Sequence, residues 1–462
     1  MVRQLEVRSP YDRALVDTLP WDDDASLEGK LSRAASFATP SRVLPKHERL
    51  ALLGRVATLI DERREELARL AASEGGKPLV DSRVELVRAA EGARAAQAVL
   101  HRDHGSEVPM GLSAASTGRF AVTMHEPLGL VGAISAFNHP FNLAVHQLIP
   151  AVAAGCPVLI KPARATPLSC RALLSILRDA GLEPGRADML VLENEAAERF
   201  ASDSRLAFFS FIGSAEVGFR LQRRLAPGVG VALEHGGVAP VVLHESADLA
   251  AVVPRLVKGG YYHAGQVCVS VQRVYVPRSR LDELLAELVP RVSSLRVGDP
   301  LDATTEVGPL IRESEVARVA SWVEEAARSG SVLVGGKALS ASCYEPTLLV
   351  APADDARISR EEVFGPVVAV YPYDSWDEAI ERANAVDVCF QAAVFARDLD
   401  AAWDGVRRLR ATAVMVNDHT AFRVDWMPFG GRGRSGVGLG GIEDSMRDLT
   451  AQKLVVFQSP NL

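Results

Sequence analysis

The feature that most constrains the fold of this chain is the rhythm of its middle. Val131-Gly132-Ala133-Ile134-Ser135 reads as a strand and Leu143 to Ala154 as a helix. Pro157-Val158-Leu159-Ile160 is a second strand and Ser169 to Ala180 a second helix, followed by strands at Met189 to Leu192 and Ala207 to Phe211. Apolar runs this short suit buried strands better than helices. Parallel neighbours need a crossover of a dozen or more residues, and the intervening helices supply one. The expected class is therefore α/β, with a doubly wound, Rossmann-type sheet. Beyond Glu234 the alternation resumes, with helices over Leu249 to Tyr261, Leu281 to Leu288 and Ser314 to Ser329, which predicts a second α/β domain.

The flanks read differently. After Pro45, the residues Leu50, Leu53, Val56, Leu59 and Ile60 recur at helical spacing while Glu62 to Glu66 carry the charge. Gly75-Gly76-Lys77-Pro78 breaks this region, and a further helix runs through Val84 to Leu100. Arg119 to Met124 alternates weakly, like an exposed arm, and Lys453 to Phe457 reads as a terminal strand. Both would present edges that need covering.

Composition narrows the function. With 462 residues, 48% of them hydrophobic, there is material for roughly two or three domains. A net charge of −7 argues against nucleic acid as a partner. No signal-peptide core follows Met1, and no uncharged apolar run reaches the roughly 18 residues of a membrane span. The five cysteines, Cys156, Cys170, Cys268, Cys343 and Cys389, are odd in number, widely spaced and without a C-x-x-C pair. That favours neither a disulfide framework nor a metal site, and it predicts a reducing, cytoplasmic setting in which a reactive thiolate survives.

One such thiol stands out. Cys268 lies in Gly265-Gln266-Val267-Cys268-Val269-Ser270, and upstream Glu234 stands between an apolar strand and a glycine pair in Val231 to Gly237. A thiol that attacks a carbonyl and a carboxylate that activates water make a complete covalent catalyst. Taken singly, Cys268 also suits a packed core and Glu234 a solvated surface. Two strand ends offer cofactor chemistry, since open parallel sheets bind ligands at the carboxyl ends of their strands. Lys161 directly follows one strand, placed to reach a ribose hydroxyl or phosphate, or simply to snorkel to the surface. Gly213 and Ser214 follow another, where a glycine admits a diphosphate. The G-x-G-x-x-G fingerprint occurs at neither.

In chain order the segments Ala136-Phe137-Asn138-His139-Pro140, Lys161-Pro162, Phe211-Ile212-Gly213-Ser214, Leu233-Glu234-His235-Gly236-Gly237, Gly265-Gln266-Val267-Cys268, Glu361-Glu362-Val363-Phe364-Gly365-Pro366 and Met427-Pro428-Phe429-Gly430-Gly431 resemble the aldehyde dehydrogenase superfamily. The likeness runs from about residue 45 to the C-terminus. It implies an NAD(P)-dependent oxidation of an aldehyde to its acid, with NAD or NADP as cofactor. By the same resemblance Cys268 is the nucleophile, Asn138 an oxyanion donor and Glu234 the base that hydrolyses the thioester. Lys161, Gly213, Ser214, Glu362 and Phe364 are then cofactor contacts. The implied parts are a dinucleotide-binding domain over residues 1–105 and 125–235, a catalytic domain over 236–440, and a β oligomerisation element over 106–124 and 441–462. A homodimer or homotetramer is expected, with the terminal strand extending a neighbour's sheet.

Some positions depart from the family pattern. The usual leucine after the catalytic glutamate is His235, and a relay lysine found in many members is replaced by Gln147. Arg164 stands where NAD-preferring members often carry glutamate, so NADP is expected to be tolerated. For the substrate, the Asn-His-Pro element and Arg423-Val424-Asp425-Trp426 resemble members handling lactaldehyde, glyceraldehyde phosphate and phosphonoacetaldehyde. His139, Arg423 and His419 are accordingly the candidate contacts to a small polar or anionic aldehyde. Arg423 could instead pair with Asp425 and only brace the wall, and Val267, just before the nucleophile, suits a neutral substrate. Acyl transfer to coenzyme A and a non-catalytic scaffold are the competing functions.

Overall fold

The computed structural model describes residues 3–462. Its first sheet has six strands in the order Gly436–Val437, Gly230–Glu234, Leu206–Ile212, Leu130–Ile134, Val158–Lys161 and Ala187–Met189. All pairs are parallel except the short edge strand Gly436–Val437. Leu130–Ile134 and Val158–Lys161 are buried along their whole length, as strands covered on both faces must be. Val131, Ala133, Val158 and Ile160 join the helices Leu79–Arg102 and Pro140–Ala154 in one core. Leu130, Leu159, Phe209 and Phe211 join Leu27, Leu31 and Phe200 in another on the opposite face. The chain enters this sheet at its centre, winds to one edge and returns to fill the other side. Its switch point therefore lies between Leu130–Ile134 and Leu206–Ile212, where a doubly wound sheet opens a crevice.

A second sheet of seven strands carries its own core. Its order is Ser331–Val334, Thr347–Val350, Val367–Tyr373, Arg273–Pro277, Pro240–Leu243, Gln391–Phe395 and Ala413–Val416, with only the first antiparallel. A third, antiparallel sheet pairs Thr450–Gln458 with Arg119–Pro127 and then Glu107–Val108. The arm and the terminal strand are thus hydrogen-bonded to each other within one chain. Among the described residues no helix is long and apolar enough to cross a membrane.

Two parts differ from expectation. The polar lead-in forms a hairpin, Gln4–Arg8 with Leu15–Pro20, and a helix, Asp24–Ser36. The hairpin buries little besides Val7 and Leu19, which is why its pattern is faint, but the helix start was readable: Asp23 accepts from Ser26 N at 2.8 Å. The boundary expected after residue 440 is also displaced. Ile442, Met446 and Leu449 lie in the core beside the Pro140–Ala154 helix, so the outer sheet takes only Thr450–Gln458 of the expected 441–462 segment. A helix of seven residues, Ile442–Asp448, is too short to display an apolar stripe.

Buried carboxylates start the helices that follow Leu130–Ile134 and Val158–Lys161. Glu85, on Leu79–Arg102, accepts from Phe141 N at 3.0 Å and Asn142 N at 2.9 Å, the first turn of the helix that follows Asn138. Glu74 does the same for Leu168 N and Ser169 N, and burial pushes its carboxyl up to about 7. Glu85 also pairs with Lys77, and both are almost wholly buried. Glu85→Ala should therefore cost about 3–5 kcal/mol in urea unfolding, since it strands the Lys77 charge. The double variant Glu85→Leu with Lys77→Met should recover much of that loss. A single variant as stable as the parent would show that the pair supports nothing.

Candidate active site

The loop that carries Cys268 joins the helix Leu249–Tyr261 to the strand Arg273–Pro277. His263, Ala264 and Gly265 all take left-handed backbone, with φ of 49°, 54° and 68°. Such conformations cost non-glycine residues about 1–3 kcal/mol each and persist where the surroundings enforce them. Here the enforcement is visible. A Cβ on Gly265 would meet the Gly365 carbonyl oxygen at 2.0 Å. The buried Gln266 side chain donates to Pro309 O at 3.2 Å and accepts from Ile311 N at 2.9 Å. Beyond the cysteine, Thr420 Oγ1 donates to Val269 O at 2.7 Å. Cys268 is thus held half-buried between two anchored neighbours.

Cys268 faces a cavity of about 770 Å³ that opens at the switch point of the first sheet. Asn138, Glu234, Lys161, Gly213, Ser214, Glu362, Phe364, His139 and Arg423 all line it with Cys268. His419 does not. It packs with its Cβ against Gly259, near Asp418, Lys258 and Arg255, outside the cavity wall. Asn138 Nδ2 donates to Gln266 O at 2.9 Å, which ties the end of the Leu130–Ile134 strand to the cysteine loop. Glu234 ends the strand Gly230–Glu234 with its Oε1 close to Gly440, where a Cβ would stand 2.4 Å away.

At the cofactor end, the Glu362 carboxylate lies over Gly236, where a Cβ would meet its Oε2 at 2.0 Å. Its Oε1 is buried without a hydrogen-bond donor, and burial pushes the carboxyl up to about 8. Phe364, at φ 48°, meets Phe137 edge-on at 5.7 Å. Burial, with Arg164 nearby, brings Lys161 down to about 8. Ser214 precedes the first residue of the helix Ala215–Gln222. A carboxylate oxygen in want of a hydroxyl, an aromatic face and a lysine at a strand end fit a nicotinamide dinucleotide. His235 is buried between Phe211 and Phe219, and its Nδ1 donates to Gly213 O at 3.0 Å. It fills space that only glycine leaves at Gly218, where a Cβ would clash at 2.0 Å.

At the substrate end, Asp425 is already committed elsewhere. Arg88 donates to it through two bonds of 2.9 and 3.0 Å, Asn142 through one of 3.0 Å, and His146 Nε2 lies 2.6 Å away. Arg423 reaches Asp425 only at 3.9 Å. Its guanidinium is stacked 3.6 Å over Phe429, and Nη1 is buried with no partner. Burial, with Arg88 beside it, lowers Arg423 to about 10. His139 Nε2 lies 2.8 Å from Tyr262 Oη. Arg88, Tyr262 and Gln266 were not anticipated from the sequence. Their contacts span long sequence separations that no local pattern encodes.

Burial raises the Cys268 thiol, and the Glu362 and Glu234 carboxylates push the same way, against Arg423. Burial also raises Glu234, with Arg423 opposing. Reactive thiols are usually acidified by their surroundings. This one is held neutral, and burial pushes the neighbouring Glu234 carboxyl toward its neutral form as well.

A sequence profile described as "Aldehyde dehydrogenase family" matches residues 2–455. The chain is 37% identical over 412 residues to the 3-sulfolactaldehyde dehydrogenase of Priestia aryabhattai, covering 89% of this chain and 86% of that protein. Aldehyde dehydrogenase 21 from Physcomitrella patens, solved with the reaction product succinate, superposes with a TM-score of 0.96 at 32% identity, covering 99% of this chain and 95% of the other. The glyceraldehyde-3-phosphate dehydrogenase GapN from Methanocaldococcus jannaschii, solved with NADP, gives 0.94 at 30% identity, covering 99% and 100%.

Since the resting thiol is protonated, alkylation of Cys268 by iodoacetamide in the cofactor-free protein should climb about tenfold per pH unit. The climb should continue through the ordinary thiol value of 9.0 without levelling. Peptide mass spectrometry separates this site from the other cysteines. A plateau near neutral pH would mean that the thiol is acidified after all.

Proposed function

The chain belongs to the aldehyde dehydrogenase family, and from that premise we propose that it acts on small aldehydes bearing an anionic group. Its reaction is the oxidation of an aldehyde to the carboxylic acid with NAD or NADP. The observation that carries the substrate class is the unpartnered, buried Nη1 of Arg423 in the wall that also holds Cys268. A buried guanidinium with one N–H left unpaired, its nearest carboxylate already committed to Arg88, Asn142 and His146, favours a ligand that brings an anion. The names of the three relatives point the same way, to a sulfonate, a dicarboxylate and a phosphate.

In this reading the carbonyl oxygen lies toward Asn138 Nδ2 and the Cys268 N–H, and the anionic tail toward Arg423. Glu234 takes the thiol proton, and the sulfur adds to the carbonyl carbon to give a thiohemiacetal. Two neutral donors hold its oxyanion, which is where a water-excluded site gains most. Oxidised nicotinamide, when bound, supplies the acceptor for the two electrons that leave this carbon. Glu362 would hold the ribose next to that ring, with Phe364 against it, and Lys161, Gly213 and Ser214 would hold the adenosine ribose and diphosphate. The carbon remains on sulfur as a thioester. Glu234, once its first proton has gone to solvent, then removes a proton from water, the hydroxide adds, and the thiolate departs as the acid forms, taking that proton back from Glu234 to restore the resting thiol. Arg164, exposed beside Lys161, gives a 2′-phosphate a cation to meet, so NADP is accepted.

The chain parts follow from the same reading. The first sheet is the dinucleotide-binding domain and the second the catalytic one. The outer sheet, with Leu454, Val456 and Phe457 exposed, pairs with another copy in a homodimer or homotetramer. The compartment is the cytoplasm, where free thiols stay reduced.

A panel of short aldehydes, uncharged, cationic, carboxylated, sulfonated and phosphorylated, tests the substrate class by the absorbance of reduced nicotinamide. The anionic members should show the higher kcat/KM. Arg423→Leu should lower that value roughly 10- to 100-fold for them, the worth of one hydrogen bond to a charge, while leaving uncharged aldehydes alone. Equal losses across the panel would make Arg423 a wall brace. Separately, Asn138→Ala should cut turnover by about 10² to 10³ with the fold intact, and unchanged turnover would remove it from the site.

A further inference from the structure

The N-terminal hairpin reaches the active-site cavity. Trp21, the residue after its second strand, lines that cavity together with Leu5. A stitch between this lead-in and the first sheet puts the indole there. Asp22 N donates to Val191 O at 3.0 Å, and Val191 N donates to Asp22 Oδ2 at 2.8 Å. Lys30, on the helix Asp24–Ser36, pairs with Asp22 at 2.7 Å and donates to Met189 O at 2.8 Å. Trp21 is thereby fixed beside the carboxyl end of the edge strand Ala187–Met189, one strand beyond the end that carries Lys161. Four strand spacings, roughly 19 Å, separate that edge from the strand that ends in Glu234. One part of the indole packs on the first core, yet the residue stays half-buried. The Arg3 guanidinium stands 5.1 Å over its ring and pairs with Glu193 at 2.7 Å.

We infer that Trp21 is a cofactor-binding residue, against whose indole the adenine of the dinucleotide packs. The inference rests on the reading of Lys161, Gly213 and Ser214 as the contacts to the adenosine ribose and diphosphate. A nicotinamide beside Cys268 sends the other half of the molecule away from Glu234, along the row of strand ends. A ribose held at Lys161 delivers its base toward the next strand end, where Trp21 waits. A half-buried indole suits a purine, since two aromatic groups in contact gain beyond the area they bury. The contact reads neither the 2′-hydroxyl nor a 2′-phosphate. Trp21 therefore serves NAD and NADP alike, whereas Arg164 distinguishes them. The lead-in, which buries little of its own, thus completes a site built on the sheet it is stitched to.

Titration of the cofactor-free protein with 5′-ADP, which carries the adenosine diphosphate half alone, reads the contact directly. ADP should change the tryptophan emission of the parent saturably, and most of that change should be missing in Trp21→Phe while calorimetry still shows ADP bound. Trp21→Ala should weaken ADP roughly 10- to 100-fold by calorimetry, the worth of one base–aromatic contact. The KM for NAD and for NADP should rise by a similar factor in Trp21→Ala, with kcat at saturation changing less. An ADP affinity equal to the parent's in Trp21→Ala would overturn the inference, as would a KM that rises for NADP alone. Should the alanine variant fail to fold, an emission change in Trp21→Phe as large as the parent's would overturn it instead. Lys161→Ala, run in parallel, tests the underlying reading on its own: undiminished ADP binding there would remove the adenosine site from this strand end, whatever Trp21 does.

Discussion

The amide of Asn138 donates a 2.9 Å hydrogen bond to the backbone of Gln266, and through it two separately packed sheets act as one site. Each sheet has its own core, so neither would keep the other's loops in register by burial alone. The bond joins the switch-point strand of the first sheet to the loop that carries Cys268 in the second. Both of its ends are braced. Glu85 holds the first turn of the helix behind Asn138, and Gln266 is itself held by Pro309 and Ile311. A site assembled this way is held in place from both sides, as oriented chemistry requires.

Burial sets the electrical state of the resting cavity. The Cys268 thiol and the Glu234 and Glu362 carboxyls are all pushed toward their neutral forms, and Arg423 is pushed down. An enclosed site of low dielectric penalises isolated charge but strengthens any pair that forms in it. Charge is therefore favoured only where a ligand brings a complementary group. The same burial holds the Cys268 thiol in its neutral form.

Much of this was legible in the sequence because it sits at strand ends. Asn138, Lys161, Gly213 and Glu234 each follow or end a short apolar run, and a parallel sheet directs such positions to one crevice. Cys268 was legible by its glycine and its family pattern, not by position, since it precedes its strand. What stayed hidden depends on pairs far apart in the chain. Whether Arg423 braces a wall or awaits a ligand turns on how fully Asp425 is already satisfied. That in turn is decided by Arg88, Asn142 and His146 on two other helices. His419, close to Arg423 in sequence, falls outside the cavity and packs against Gly259 instead. The short helix Ile442–Asp448 returns to the first core through three apolar residues that no periodicity reveals.

Glycines record where the carboxylates must rest. Gly236 gives way to Glu362 and Gly440 to Glu234, each with a would-be Cβ within 2.4 Å of a carboxylate oxygen. Neither glycine has left-handed backbone, so the requirement is space and not conformation. Gly440 has a further consequence. By leaving room at the end of the Gly230–Glu234 strand, it lets one carboxylate touch both the front cavity and the polar pocket behind it. A side chain there would collide with the Glu234 carboxylate. The chain has thus traded a packed wall for an open one, and the openness leaves the Glu234 carboxyl bordering two cavities.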